Sequence, residues 1–329
     1  MALILLKITK TAHYTPSKVI SNDDLAQIMD TNDEWISSRT GIKRRHVVTD
    51  EDTTDLVVNV AEDLLKQSQV APEDINFIVV ATASASEAVP TAAACVQKAI
   101  GAKNAFVFDL NAACSGFIYG LSVVRGLFAN PNYNKGILIG AEVLSKYTDW
   151  EDRTTAVLFG DGAGGVLLEK NAEPGEMFLG EDLLSMGDLG DKITMAGTQN
   201  DSPFSEDATK DNPGKYVTMD GRAVYTFATR NVPKSINRAL EQANLTADDV
   251  DLFVLHQANA RIVEVIAKKL HQPIEKFPMN ISEYGNTSAA SVPILLDELN
   301  AAGKIKPGSV IALAGFGGGL TLGSEIIRF

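Results

Sequence analysis

Cysteine is scarce: the chain of 329 residues holds two, Cys95 and Cys114. A disulfide framework needs more, so both read as free thiols of a reducing compartment, and the cytoplasm is the expected location. Long hydrophobic runs are missing as well. No stretch approaches the ~18 consecutive apolar residues of a membrane helix, so no membrane insertion is expected. The opening Met1–Leu6 run meets Lys7 too early for a signal-peptide core, and Ala2–Ile8 reads as a first strand. Positive charge is in deficit, with 29 Lys and Arg against 42 Asp and Glu, a net charge of −13. Such a surface repels phosphate backbones and argues against a nucleic-acid partner. Histidine is limited to four residues, and no cluster of metal-ligating side chains stands out, so no metal is expected.

The remainder is that of a large globular chain, 45% hydrophobic and 22% charged, long enough for two domains or one large one. Its periodicity alternates. Val57–Leu65 is helical, Ile75–Ala81 is an almost continuous apolar strand, Ala92–Ile100 is a second helix and Ala105–Leu110 a second strand. Further apolar strands are expected at Ile137–Ile139, Val157–Phe159, Leu252–Leu255 and Val310–Leu313. Apolar strands with helices between them predict an α/β architecture around a mainly parallel sheet covered on both faces.

The chain also repeats itself. Pro72-Glu-Asp-Ile-Asn-Phe-Ile-Val-Val-Ala-Thr-Ala is echoed 175 residues later by Ala247-Asp-Asp-Val-Asp-Leu-Phe-Val-Leu-His-Gln-Ala. Each segment is an acidic turn feeding a buried strand, and each follows a helical stretch. Two glycine-rich turns beside strands, Gly160–Gly165 and Phe316–Gly319, rhyme in the same order. Several matches in one order predict two similar halves. The polar stretch Gly197–Lys215 reads as a surface insertion.

Cys114 stands between an apolar strand and a stretch that is apolar nearly all round through Phe128, the pattern of a buried helix. A thiol in the first turn of such a helix faces unpaired N–H groups and the positive end of the dipole, which lower its pKa toward the thiolate. Its small neighbours, Ala112, Ala113, Ser115 and Gly116, leave room for a substrate. Two readings stand here, a nucleophile and a structural buried thiol. Cys95, in a plain Ala-rich helix, reads as structural.

A thiolate nucleophile needs a partner for its protons. His256 ends the strand Leu252–Leu255, at the carboxyl edge where α/β sheets bind ligands, whereas His13, His46 and His271 lie in loops or at a helix end. Asn286, in Tyr284-Gly-Asn-Thr-Ser-Ala-Ala-Ser, reads either as a helix N-cap or as a side-chain donor to a developing oxyanion. Gly317-Gly318-Gly319 lacks the Lys-Ser/Thr of a phosphate loop, and no dinucleotide fingerprint precedes a suitable helix.

Asn111-Ala-Ala-Cys114-Ser-Gly-Phe, His256-Gln-Ala-Asn259, Gly285-Asn286-Thr-Ser-Ala-Ala-Ser and the closing Gly-Phe-Gly-Gly-Gly, in that order, resemble the β-ketoacyl-[acyl-carrier-protein] synthase III family. Trp35-Ile-Ser-Ser-Arg39-Thr-Gly-Ile and Phe159-Gly-Asp-Gly-Ala-Gly extend the likeness along the whole chain. The resemblance implies a thiolase-like α/β fold of two duplicated βαβαβ-type halves, residues 1–174 and 175–329, layered α-β-α-β-α, in a homodimer. It implies a Cys114-His256-Asn286 triad of the chain-initiating type, with the backbone N–H groups of Cys114 and Gly318 as oxyanion donors. The implied reaction condenses a short acyl-CoA, typically acetyl-CoA, with malonyl-[acyl-carrier-protein], and requires no metal or redox cofactor.

The same resemblance gives Trp35 and Arg153 as a sandwich for adenine, Thr31 as a contact to the base and Arg39 as a phosphate ligand. Asn259 and Arg222 are further coenzyme A contacts, although the family often has Asn at position 222. Arg261, Lys268 and Lys269 form a basic face for docking the acidic carrier protein. Val89 replaces a Phe that, in several members, reaches across the dimer and limits the primer pocket, which implies tolerance of longer or more branched primers. Rival expectations are a condensing enzyme with another acceptor and a Cys-His-Asn hydrolase.

Overall fold

The computed structural model describes residues 6–170, 177–195 and 214–329. The expected insertion Gly197–Lys215 lies outside them except for its last two residues, as does the beginning of the expected first strand.

Two sheets organise the chain. The first has the order β1 (Leu6–Tyr14), β7 (Gly162–Lys170), β6 (Lys135–Glu142), β4 (Phe77–Ala81), β5 (Phe106–Leu110). The second has the order β8 (Phe178–Ser185), β13 (Thr321–Arg328), β12 (Val310–Gly317), β11 (Leu252–Leu255). In the first, β7 is antiparallel to β1 and β6 while β4 is parallel to β5 and β6. In the second, β13 is antiparallel to β8 and β12 while β11 is parallel to β12. Strands β1, β7, β6 and β4 therefore correspond in order and direction to β8, β13, β12 and β11. The sequence echo falls on equivalent units: the 3₁₀ turn Pro72–Asp74 enters β4, and Ala247–Asp249 enters β11.

The expected mainly parallel sheet is corrected, because four of the seven pairings in these two sheets are antiparallel. The apolar runs report burial on both faces, which a mixed sheet shares with a parallel one when helices cover it. Strand β4 illustrates this. Phe77 and Val79 point into the layer between the sheets, while Ile78 and Val80 pack outward, and each buried side chain is worth about 1.5–3 kcal/mol.

Helices α5 (Gly116–Leu127) and α9 (Ser291–Ala301) fill the space between the sheets, where Phe117, Ile118 and Leu296 meet Leu138 of one sheet and Leu313 of the other. Helices α3 (Thr53–Ser68) and α4 (Ala92–Ile100) cover the outer face of the first sheet; α6 (Gly221–Gln242) and α7 (Ala260–Lys269) cover that of the second. The result is the expected α-β-α-β-α layering. Helix α3 shows the local logic: Asp52 and Asp55 form a capping box at its start, and Leu56, Val57, Val60, Ala61 and Leu64 make its buried stripe. Short elements complete the chain: helices α1 (Asn22–Leu25), α2 (Asp33–Thr40) and α8 (Ile281–Tyr284), a β2 (Lys18–Ser21)/β3 (Arg44–Val47) ribbon and a β9 (Ile193–Thr194)/β10 (Thr218–Met219) ribbon.

The expected strand Val157–Phe159 is a buried turn, in which only Phe159 forms an isolated bridge, to Asn286. Its apolar character comes from packing: Val157 lies against Leu25, Ile36 and Ile281, and Phe159 against Leu144 and Val217. Fully buried Arg45 anchors the turn by donating from Nη2 to the Val157 carbonyl at 2.7 Å.

Candidate active site

β5 ends at Leu110, and the chain turns sharply toward α5. Asn111 Oδ1 accepts the Ala113 N–H at 3.0 Å, Ala113 adopts φ +46°, and Cys114 follows in the 3₁₀ turn Ala113–Ser115 that leads into the helix. The glycine-rich turn after β12 closes over this segment. Ser115 Oγ meets Thr321 Oγ1 at 2.5 Å, and Thr321 Oγ1 lies 2.8 Å from the Gly318 carbonyl. A Cβ on Gly317 would stand 2.7 Å from Cys114 Cβ and 2.8 Å from Sγ. These glycines thus admit backbone to within contact of a thiol, and the N–H groups of Cys114 and Gly318 are directed at the sulfur.

Burial pushes the Cys114 thiol up to about 11; Glu142 adds to the rise, and the Ser288 hydroxyl and the two N–H groups oppose it. The expected lowering by the helix terminus is therefore overturned, because desolvation of the thiolate outweighs the nearby dipoles.

His256 follows β11 and is 1% exposed. Its ring stands edge-on to Phe316 at 5.1 Å, and burial pushes its pKa down to about 3, so the imidazole is neutral at physiological pH. Nδ1 lies 2.6 Å from Ser291 Oγ, which is also 2.9 Å from the Ser288 carbonyl. Asn286 is fixed by its backbone, which exchanges bonds with Leu158 O (2.8 Å) and Gly160 N–H (3.1 Å). Its Oδ1 accepts the Ser288 N–H at 2.9 Å, which leaves the Nδ2 hydrogens available. The N-cap reading of Asn286 is corrected: Thr287 holds that position before the 3₁₀ turn Ser288–Ala290, and the Asn286 oxygen makes an Asx-type bond to the N–H two residues on. Cys114, His256 and Asn286 line one cavity of about 600 Å³, together with Phe316, Gly318 and Asn259.

Family models described as 3-oxoacyl-[acyl-carrier-protein] synthase III and its C-terminal part match residues 108–187 and 240–329. The chain is 54% identical over 323 residues to the β-ketoacyl-[acyl-carrier-protein] synthase III of Streptococcus sanguinis, covering 98% of each chain. That of Lactobacillus helveticus is equally similar, at 54% with the same coverage. The crystal structure of the Aquifex aeolicus synthase III superposes with a TM-score of 0.91 at 38% identity, covering 98% of this chain and 100% of that one. The chain belongs to the 3-oxoacyl-[acyl-carrier-protein] synthase III family. It has the thiolase fold and is an acyltransferase, the condensing enzyme that opens fatty-acid synthesis.

The peripheral residues expected of a synthase III divide into groups. Arg39 and Arg153 both lie over the Trp35 ring, with guanidinium carbons 4.7 and 5.4 Å from its centroid. Arg153 is held by the Asp30 carbonyl at 2.7 Å. A base between Trp35 and Arg153 needs two contact spacings of about 3.5 Å each, so Arg153 must move outward to admit one. Thr31 Oγ1 is buried with no hydrogen-bond partner among the described residues, as suits a hydroxyl that serves a ligand. Asn259 lines the Cys114 cavity, bonds the Arg39 carbonyl at 3.0 Å and caps α7. Arg222 lies apart from this cavity, in a separate groove with Arg230 and Lys234.

Arg261, Lys268 and Lys269 are all exposed on α7. Arg261 is tied to the Ser38 carbonyl and Lys269 to the Thr229 carbonyl at 2.9 Å, so Lys268 projects most freely. Val89 is 84% exposed and does not line its own chain's cavity. Glu142, Ser288, Ser291 and Thr321 escaped sequence reasoning. Glu142 had a signal, being the lone charge within the apolar run Gly136–Leu144; the serines and the threonine had none, because small polar residues at turns are common.

Proposed function

We propose that this chain transfers an acyl group from a short acyl-CoA, acetyl-CoA in the first instance, through Cys114 to malonyl-[acyl-carrier-protein]. The observation that carries the reading is the convergence of Cys114, His256 and Asn286 on one cavity from three distant segments. The Cys114 thiolate adds to the thioester carbonyl, the oxyanion rests on the N–H groups of Cys114 and Gly318, and the C–S bond to coenzyme A breaks. Malonyl then loses CO₂, and the electron pair of the broken C–C bond forms an enolate. Its oxygen is held by His256 and the Asn286 amide while its carbon attacks acyl-Cys114 and releases the thiolate.

The Ser291 hydroxyl, which donates to the Ser288 carbonyl at 2.9 Å and stands 2.6 Å from His256 Nδ1, holds the imidazole in place on the cavity wall and supports its role there. No step draws on a cofactor. Purified protein given acetyl-CoA and malonyl-carrier protein is expected to release CoA and CO₂ in equal amounts and form 3-oxobutanoyl-carrier protein; CO₂ release that does not depend on acetyl-CoA defeats the reading.

Coenzyme A takes Thr31, Trp35, Arg39, Arg153 and Asn259 in this proposal, with Arg222 farther out. The carrier protein docks on Arg261, Lys268 and Lys269, a local reversal of charge on an acidic molecule. Lys268→Glu is expected to raise KM for malonyl-carrier protein about threefold to tenfold while leaving acylation by acetyl-CoA unchanged. Equal damage to both half-reactions removes this docking surface.

The two halves are assigned to residues 1–174 and 175–329, and the chain to the cytoplasm. A homodimer is supported by β5, which ends its sheet with Phe106, Phe108 and Leu110 only partly covered. Such an edge is a template for a second copy. Val89 then reaches the partner's primer pocket as a smaller residue than Phe. Competition between acetyl-CoA and isobutyryl-CoA is expected to give comparable acylation rates; strong exclusion of isobutyryl means that other residues close the pocket.

A further inference from the structure

Two buried side chains beside the triad take no part in the steps above. Glu142, at the end of β6, is completely buried. Its Oε1 accepts from Ser288 Oγ at 3.0 Å and its Oε2 from Ser84 Oγ at 2.5 Å, while the Ala83 N–H stands 3.2 Å from both oxygens. Ser288 is held at φ +48°, a left-handed conformation that costs a serine energy and persists only where its surroundings impose it. Ser288 lines the same cavity as Cys114, on a turn packed against the turn that carries the thiol. The Ser288 hydroxyl therefore joins the cavity that holds Cys114 to the buried Glu142 carboxylate.

The elements packed on this carboxylate are the segment after β4, the turn before α9 and the turn carrying Cys114. Among the described residues that they bring, Cys114 alone titrates, with His256 on the wall of the same cavity.

We propose that Glu142, acting through the Ser288 hydroxyl, takes up the thiol proton as Cys114 attacks the acyl thioester. The S–H proton passes to Ser288 Oγ as the Ser288 proton passes to Glu142, so the thiolate, a neutral serine and a protonated carboxyl result. The S–C bond forms, the C–S bond to coenzyme A breaks, and the departing CoA thiolate takes a proton from solvent. After condensation frees the Cys114 thiolate, the proton returns by the same route. Glu142 is a positioning residue in this scheme, because it reaches the sulfur only through Ser288. Burial favours it over the imidazole as the acceptor: desolvation raises the carboxyl to about 7, although hydrogen bonds from Ser84, Ser288 and backbone oppose the rise, whereas it leaves His256 a weak base at about 3. An ionised carboxylate is required, so the relay operates above this range and fails as pH falls through it.

The inference rests on Cys114 being the nucleophile, and alkylation by iodoacetamide reads the thiol whether or not condensation takes place. Rates are measured between about pH 5 and 10. Wild type is expected to rise in two steps, the lower from Glu142 and the upper from the thiol itself. Glu142→Gln, isosteric and still hydrogen-bonding, loses the lower step and alkylates about 10²-fold more slowly at about pH 8. Ser288→Ala loses the same step with the carboxylate in place, and the double variant is no slower than either single one. Faster alkylation of Glu142→Gln than of wild type overturns the relay, since it reduces Glu142 to a repelling charge. A lower step that survives both substitutions, or one that vanishes in His256→Ala, also overturns it. Failure of acetyl-CoA to acylate a wild type that keeps the lower step would sink the proposed reaction and not the relay.

Discussion

Asn286→Ala is expected to form acyl-Cys114 at close to the wild-type rate and yet lose condensation by about 10²–10³-fold. The split follows from which donors face which oxygen. The acyl oxyanion of the first half-reaction is assigned to the backbone N–H groups directed at Cys114, which the substitution leaves alone. The enolate oxygen of the second is assigned to His256 and the Asn286 amide, whose Nδ2 is free because Oδ1 is bound to the Ser288 N–H. A lost oxyanion donor costs about 3 kcal/mol. The fold should tolerate the change, since the bridge to Phe159 is made by backbone. Rapid-quench acylation with acetyl-CoA, followed by malonyl-carrier protein, separates the two rates. Loss of acylation in a folded variant would contradict the division.

Gly317→Ala is expected to damage both half-reactions together, by about 10²-fold or more. The added methyl would fall 2.7 Å from Cys114 Cβ and 2.8 Å from Sγ, well inside the ~3.5–4.0 Å at which nonbonded carbons rest. Relief requires the thiol or the Gly317–Gly319 turn to shift, and either movement carries the sulfur away from the N–H of Gly318. Overpacking of this kind costs about 1–3 kcal/mol of stability, too little to unfold a large core. The variant should therefore melt cooperatively while both its acylation burst and its alkylation rate fall. Normal acylation would mean that the glycine serves the β12–β13 turn and not the site.

The layers, and the meeting of Cys114, His256 and Asn286 on one cavity, were legible because each left a pattern. Continuous apolar strands and the echo at Pro72 and Ala247 locate the sheets, and His256 at the end of β11 marks the edge where the cavity opens. Strand direction was not legible: β7 and β13 are apolar for the same reason as β4, burial between helices, and nothing in that pattern distinguishes antiparallel pairing. Val157–Phe159 misled for a related reason, as a turn buried against Leu25 and Val217 is as apolar as a strand. The Cys114 pKa ran opposite to expectation because the sequence places a thiol near N–H groups but does not reveal how far burial raises it, or that Glu142 stands behind Ser288. The Gly317 run carried no recognisable phosphate motif; the family resemblance gave Gly318 a role as a backbone donor, and the close approach of Gly317 to the sulfur emerged only once the turn was seen against it.

The central claim is a covalent acyl group on Cys114 that only a malonyl donor removes by condensation. Intact-protein mass spectrometry of wild type and Cys114→Ser, first with acetyl-CoA and then with malonyl-carrier protein, tests it directly. The account predicts an acetyl adduct on wild type alone, stable until the donor is added and then discharged as 3-oxobutanoyl-carrier protein appears. An adduct equally present on Cys114→Ser, or one that decays to free acetate without the donor, would contradict it.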